Sequence, residues 1–257
     1  MMDIKDYKAD SYFKDTYSKL NDYPKCKTTV LDVPEMYDEC DNGELPEVEF
    51  VKLGTLEAAE LYTSKNNKVV IHNFANPYKP CWGVVYDFTQ EEIIFRQTNL
   101  AAGLSKELYP ITNKVLYTEN VTVFKDRIGI KNKLFEMRQK PYTIDVVSSA
   151  ALHSPILIRN KYQKCDRDAT SKLVYNTLMA SSESKDVDIF ITGAWGCGIF
   201  ENPIEEMCEI WHNEIHRVSK NKRFVSRVKK IVFAIPDDKI YTFRDMISPK
   251  TTILYDK

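Results

Sequence analysis

The chain has 257 residues, 43% apolar and 28% charged, enough to bury one large core under a well-solvated surface. Its 36 basic and 37 acidic residues nearly cancel, which removes the electrostatic case for nucleic acid or a membrane surface as principal partner. No apolar run reaches the ~20 residues of a membrane span, and the polar N-terminus does not read as a signal peptide.

Six cysteines are scattered without a Cys-x-x-Cys pair and read as reduced thiols of an intracellular protein, cytoplasmic, or nuclear in a eukaryotic or viral setting. His212 and His216 lie one helical turn apart with no zinc-type partners nearby, so they read as a solvated helix face; no metal or other cofactor is implied. Of eight glycines, Gly193, Gly196 and Gly198 fall within six residues, a clustering that implies a backbone requirement.

In chain order, residues 1–27 are polar and Tyr-rich and read as an arm or short helices over the core. Strands are expected at 28–33 and 48–53, with a loop over 36–45 and a short helix over 55–64 capped by Thr55. Val69-Val70-Ile71 is a buried strand by its short, β-branched character, and it leads into a loop punctuated by Pro77 and Pro80. A helix follows from Gln90 to about Ala102, with Thr89 and Glu92 spaced as a capping box. Residues 116–124 alternate as a strand, 126–141 are charged and partly looped, and 142–151 hold a buried strand. An amphipathic helix over 166–180 and a strand over 187–192 precede the glycine cluster. A helix over 203–218 then starts with Asn202 as cap and Pro203 at its first position. A last core strand spans 228–235, and 237–257 form a tail with one short helix. Strands alternating with helices argue for an α/β sandwich around a mixed sheet.

Two stretches carry chemistry. His72 to Glu92 places Asn73 and Asn76 at a strand end, then a loop, then Gln90-Glu91-Glu92 in a helix's first turn, a site suited to a sugar-bearing ligand. An N-cap with acidic residues that suit the helix dipole is the plainer reading of the same residues. Gly193-Ala-Trp-Gly196-Cys-Gly198-Ile-Phe200 lies between a strand and a helix, where outward backbone N–H groups suit a phosphate; a tight turn with close packing is the alternative. It is not a P-loop, because no Gly-Lys-Ser/Thr follows, and Glu201 stands where a dinucleotide fingerprint needs its third glycine.

Asn73-Phe-Ala-Asn76, Pro80-Cys-Trp-Gly83 and Gln90-Glu91-Glu92 together resemble the signature of microbial-type poly(ADP-ribose) glycohydrolases, a branch of the macrodomains. Cys81 and Trp82 stand where that family carries the first two of three glycines, and Trp82 is expected either to turn to solvent or to lie over the ligand. The 193–203 loop resembles the family's second signature, and echoes at 55–59, 117–124, 145–151 and 232–235 keep the family's order.

The resemblance implies a macrodomain-like three-layer α/β/α sandwich around a mixed sheet, over residues 47–257, with residues 1–46 as an N-terminal extension packed on it. It implies cleavage of the ribose–ribose bond of poly(ADP-ribose), with ADP-ribose, poly(ADP-ribose) and ADP-ribosylated proteins as partners of a monomer. An ADP-ribose-binding macrodomain with little activity, or a hydrolase of mono-ADP-ribosyl proteins, are the alternatives. Glu92 would be the general acid and then base, with Glu91 holding the ribose hydroxyls. Asn76 and Gln90 would position the distal ribose and the Glu92 region, and Asn73, Gly83 and Val84 would be among the substrate-binding residues. Gly193, Ala194, Trp195, Gly196, Cys197, Gly198 and Ile199 would wrap the diphosphate, and Phe200 would pack on the ribose.

Overall fold

The computed structural model describes residues 11–31, 43–81, 89–128 and 134–256. The strands are β1 (Lys27–Leu31), β2 (Glu47–Val51), β3 (Val69–Phe74), β4 (Val115–Ile128), β5 (Leu134–Ser149), β6 (Leu157–Ile158), β7 (Lys161–Tyr162), β8 (Ile189–Thr192), β9 (Lys230–Ala234) and β10 (Ile253–Leu254). The helices are α1 (Ser11–Ser18), α2 (Thr55–Thr63), α3 (Gln90–Gln97), α4 (Leu100–Gly103), α5 (Lys164–Ser181), α6 (Ile204–Val218), α7 (Lys222–Arg227) and α8 (Lys239–Ile247). Eight strands make one sheet in the order β1-β4-β5-β3-β8-β9-β2-β10, while β6 and β7 form a separate hairpin. Pairing is antiparallel from β1 through β4 to β5, and parallel from β5 onward.

The parallel half explains the apolar runs. Strands β3 and β8 are buried almost end to end, because helices cover both faces of a parallel sheet. Alternate residues feed opposite cores. Val69, Ile71 and Ile191 pack with Leu56, Ala59, Ile94 and Phe95 from α2 and α3. Val70, Phe190 and Phe233 pack with Leu173, Trp211 and Phe243 from α5, α6 and α8. The result is a three-layer α/β/α sandwich.

The N-terminal segment is stitched into this body. β1 forms an edge of the main sheet, and α1 buries Phe13 6.4 Å from the Phe95 ring of α3. Thr16 Oγ1 donates to the Arg96 carbonyl at 2.6 Å, and the buried Lys125 ammonium meets Thr16 Oγ1 at 2.8 Å and Asp15 Oδ2 at 2.6 Å. α1 therefore braces the helix that carries Glu91 and Glu92.

Several local expectations are corrected. Residues 126–128 and 134–141 extend a long β4–β5 hairpin in place of a loop; Arg138 pairs with Asp126 across it and with Glu60 of α2, so its charges serve cross-strand and helix contacts. The helix from Gln90 stops at Gln97, because Thr98 bridges Val123 and Asn99 exchanges hydrogen bonds with the Thr122 backbone, after which α4 starts. Neither Thr89 nor Thr55 caps through its side chain: Gly54 holds the cap position of α2, and Thr55 is its first helical residue. Pro203, not Asn202, precedes α6, since Asn202 spends its amide on three loop carbonyls. The β6–β7 hairpin, α7 with its Asn221 cap, and β10 pairing with β2 have no counterpart in the sequence reading.

Candidate active site

A cleft of about 620 Å³ opens at the carboxyl ends of β3, β8 and β9. One wall is the head of α3, with Gln90, Glu91 and Glu92; the other is the loop after β8, from Ala194 to Phe200. The head of α2 and residues 234–237 close its far end. Carboxyl ends of parallel strands are where helix N-termini and loops converge, so α/β sheets place ligands there, and the volume suits a nucleotide-sized molecule.

Glu91 and Glu92 both line the cleft, only 2% and 5% exposed. Glu91 Oε1 accepts from Asn73 Nδ2 at 3.3 Å and Oε2 from the Asn76 backbone N–H at 3.1 Å. Burial pushes its carboxyl up to about 8, the neighbouring Glu92 charge adds to this, and hydrogen bonds from Asn76, Asn73 and the Cys81 backbone pull the other way. One member of the carboxylate pair is thus held protonated near neutral pH.

The neighbouring amides occupy different places around the pair. Asn73 is fully buried behind the cleft, its Nδ2 shared between Glu91 and Ser148 Oγ at 3.1 Å. Gln90 is a clamp: its Oε1 accepts from Phe74 N–H at 2.9 Å, and its Nε2 donates to the His72 carbonyl at 2.5 Å and to Thr55 Oγ1 at 3.1 Å. It fastens α3 to β3 and α2. Asn76 lines the cleft, and its Oδ1 accepts from the Tyr78 and Lys79 N–H groups in an Asx-type turn. Cys81 is buried with φ 59, so a side chain occupies a left-handed position that glycine adopts freely. Trp82, Gly83 and Val84 lie outside the described residues.

The second loop is a scaffold for backbone donors. Gly196 has φ 76, and a Cβ there would come within 2.8 Å of Asn202 Nδ2 and 2.9 Å of Ala151 Cβ. Gly193 is buried, and a Cβ there would sit 2.7 Å from the Ala234 carbonyl, so glycine permits the close approach of β8 and β9 at the cleft floor. Asn202 Nδ2 binds the carbonyls of Leu152, Gly196 and Phe200, and its Oδ1 accepts from Tyr162 OH at 2.6 Å. Trp195, Cys197, Glu201 and Asn202 use their N–H groups within the loop, which leaves those of Gly196, Gly198, Ile199 and Phe200 outside its internal pattern. Trp195 is 1% exposed and anchors the loop by donating Nε1–H to the Ser149 carbonyl at 3.3 Å. Cys197 is half-buried, its thiol pushed up to about 12 by burial. Phe200 meets His153 edge-on at 4.9 Å.

Sequence reading missed Thr55, Ser148, Ser149, Tyr162, His153 and Lys239. The first four hold the site's residues, and His153 and Lys239 line its walls. Each is remote in sequence from both signatures; the 145–151 echo covers Ser148 and Ser149, and the 55–59 echo covers Thr55. A separate cavity of about 340 Å³ lies between the start of β2 and the ends of α6 and α8, lined by Glu47, His212 and His216. The two imidazoles stand 4.3 Å apart, half-buried and exposed, and no group of three metal-type ligands occurs among the described residues.

The fold is macrodomain-like: the poly(ADP-ribose) glycohydrolase of Thermomonospora curvata aligns with TM-score 0.67 and 18% identity over 92% of this chain and 98% of that one. The same enzyme bound to the inhibitor ADP-HPD gives 0.64 and 23% over 77% of each chain. The Deinococcus radiodurans glycohydrolase in complex with ADP-ribose gives 0.63 and 18% over 79% and 84%. No curated protein sequence matches. Residues 13–126 match the microbial-type PARG catalytic-domain model, so the family resemblance carried by the first signature is borne out.

Proposed function

We propose that this protein is a poly(ADP-ribose) glycohydrolase, cleaving the ribose–ribose glycosidic bond and releasing ADP-ribose. The observation that carries this reading is the pair Glu91–Glu92 at the head of α3, lining one nucleotide-sized cleft together with the glycine loop from Ala194 to Phe200.

In this reading the diphosphate lies along Gly196 to Phe200, where N–H groups bind its negative oxygens. That seats the distal ribose against Phe200 and the head of α3. The one proton held within the buried Glu91–Glu92 pair is delivered from Glu92 to the leaving ribose oxygen as the anomeric C–O bond breaks, and an oxocarbenium-like sugar forms. The resulting carboxylate takes a proton from the incoming water, whose oxygen bonds to the anomeric carbon. Glu92 ends protonated, ready for another cycle. Glu91 orients the ribose hydroxyls with the lone pairs that Asn73 and Asn76 leave open. Asn73 and Gln90 act as positioning residues behind it. In this reading residues 47–257 are the ligand-binding domain and 1–46 an N-terminal extension, of which the described α1 braces α3. The five described cysteines are free thiols and no described helix is long and apolar enough to cross a membrane, which supports assignment to an intracellular compartment.

The test is release of ADP-ribose from poly(ADP-ribose) by wild type and Glu92→Ala, with mono-ADP-ribosylated protein as a parallel substrate. Equal rates for the two proteins on poly(ADP-ribose) would sink the assignment of Glu92.

A further inference from the structure

His72 lies near the carboxyl end of β3 yet has no part in the cleft. Its ring is fully buried on the sheet face covered by α5 and α6, with Phe74, Trp195 and Trp211 at centroid distances of 4.9, 5.4 and 6.3 Å. Nδ1 lies 3.0 Å from Thr192 Oγ1, and Nε2 lies 2.8 Å from Ser149 Oγ, which is itself 2.8 Å from Thr177 Oγ1 of α5. A chain of four polar side chains thus crosses an aromatic core. Such a chain is tolerated only when every member is satisfied, and it then fixes orientations that hydrocarbon packing leaves free. Burial pushes the imidazole down to about 3, so one ring nitrogen donates and the other accepts at any ordinary pH. Either tautomer completes the chain, because each hydroxyl can donate or accept.

The two residues it grips are the loop's anchors. Thr192 ends β8 and immediately precedes Gly193. Ser149 ends β5, and its carbonyl accepts the indole N–H of Trp195. One imidazole therefore ties the ends of β5, β3 and β8 together beneath the 193–202 loop.

We propose that His72 is a positioning residue for the ligand site: through Thr192, and through Ser149 to Trp195, it holds the 193–202 loop in the form that lines the cleft with the N–H-bearing backbone groups of Gly196, Gly198, Ile199 and Phe200. That these groups receive a diphosphate rests on the function proposed above; that His72 orders the loop does not.

Wild type, His72→Leu and His72→Gln are compared by amide hydrogen exchange without ligand, by ADP-ribose titration, and by steady-state hydrolysis of poly(ADP-ribose). In His72→Leu the amides of residues 194–200 exchange about tenfold faster while those of β3, β5 and β8 keep wild-type protection. The Kd for ADP-ribose and KM rise about tenfold with kcat within about twofold, because Glu91 and Glu92 hang from α3 and not from this loop. His72→Gln, which keeps a donor and an acceptor, falls between the two. Wild-type exchange in the loop of His72→Leu, or faster exchange spread evenly over the strands, overturns the proposal. Should His72→Leu not fold, Thr192→Val removes only the Nδ1 partner and carries the same expectation and the same overturning results. A wild type that fails to bind ADP-ribose refutes the functional reading, and the exchange comparison still decides the role of His72.

Discussion

The backbone N–H of Asn76 donates to Glu91 Oε2 at 3.1 Å, so the loop leaving β3 closes directly onto the carboxylate that opens α3. The two residues are 15 apart in sequence, and this contact turns a strand end and a helix head into one wall of the cleft. Changes on either side of it should therefore be felt as changes in ligand handling as well as in stability.

Glu92→Gln keeps the shape of the side chain and removes its acid–base capacity. The turnover of poly(ADP-ribose) should fall by about 10²- to 10⁴-fold, the usual worth of such a group, while ADP-ribose binds as in wild type by calorimetry. Retained turnover would move the chemistry to another group.

Gly196→Val should do the opposite. Its φ of 76 and the 2.8 Å approach to Asn202 Nδ2 leave no room for a branched side chain. A left-handed L-residue costs about 1–2 kcal/mol before any clash, so the loop rearranges and ADP-ribose affinity drops by at least ~10-fold, equivalent to ~1.4 kcal/mol. Tighter or unchanged binding would place the diphosphate elsewhere.

Gln90→Glu tests the clamp. A carboxylate cannot donate to the His72 carbonyl and meets it as an acceptor facing an acceptor, adding a further negative charge beside the Glu91–Glu92 pair. Leaving such groups unsatisfied costs about 1–3 kcal/mol. Thermal melting should fall by roughly 2–4 °C per kcal/mol in a domain of this size, and Gln90→Met should lower it less, because it brings no charge.

The raised carboxyl of Glu91 makes stability depend on pH. Its value moves from 4.5 to about 8 on folding, so the folded form binds a proton that the unfolded chain releases. Its contribution is therefore fully present below about pH 4.5 and is lost as the pH rises toward 8. Denaturant midpoints for wild type should decline across that window, and Glu91→Gln should flatten the decline. His72 acts in the opposite sense: its value drops from 6.5 to about 3, so its contribution is lost as the pH falls below 6.5. His72→Leu should remove that acid-side loss.

Local pattern was enough to place the helix head that carries Glu91 and Glu92, the glycine loop and the buried strands between them. Val69–Ile71 and Phe190–Ile191 are apolar runs because both sheet faces are covered, and Gly196 is fixed by a backbone angle that the sequence can announce with a glycine. An α/β sandwich around a mixed sheet was equally legible from the alternation of strand and helix, while its three layers were implied by the family resemblance. Tertiary structure alone decided the fate of the polar side chains. Gln90 and Asn73 carry the right chemistry for a ligand, yet each is claimed by backbone or side chains from β3, α2 and β5 that pairing brings within 3.3 Å. Asn202 sits where a helix cap belongs and instead holds Leu152, 50 residues away in sequence. Periodicity reports which face of an element is buried; a hydrogen bond depends on which element lands beside it, and strand register sets that distance.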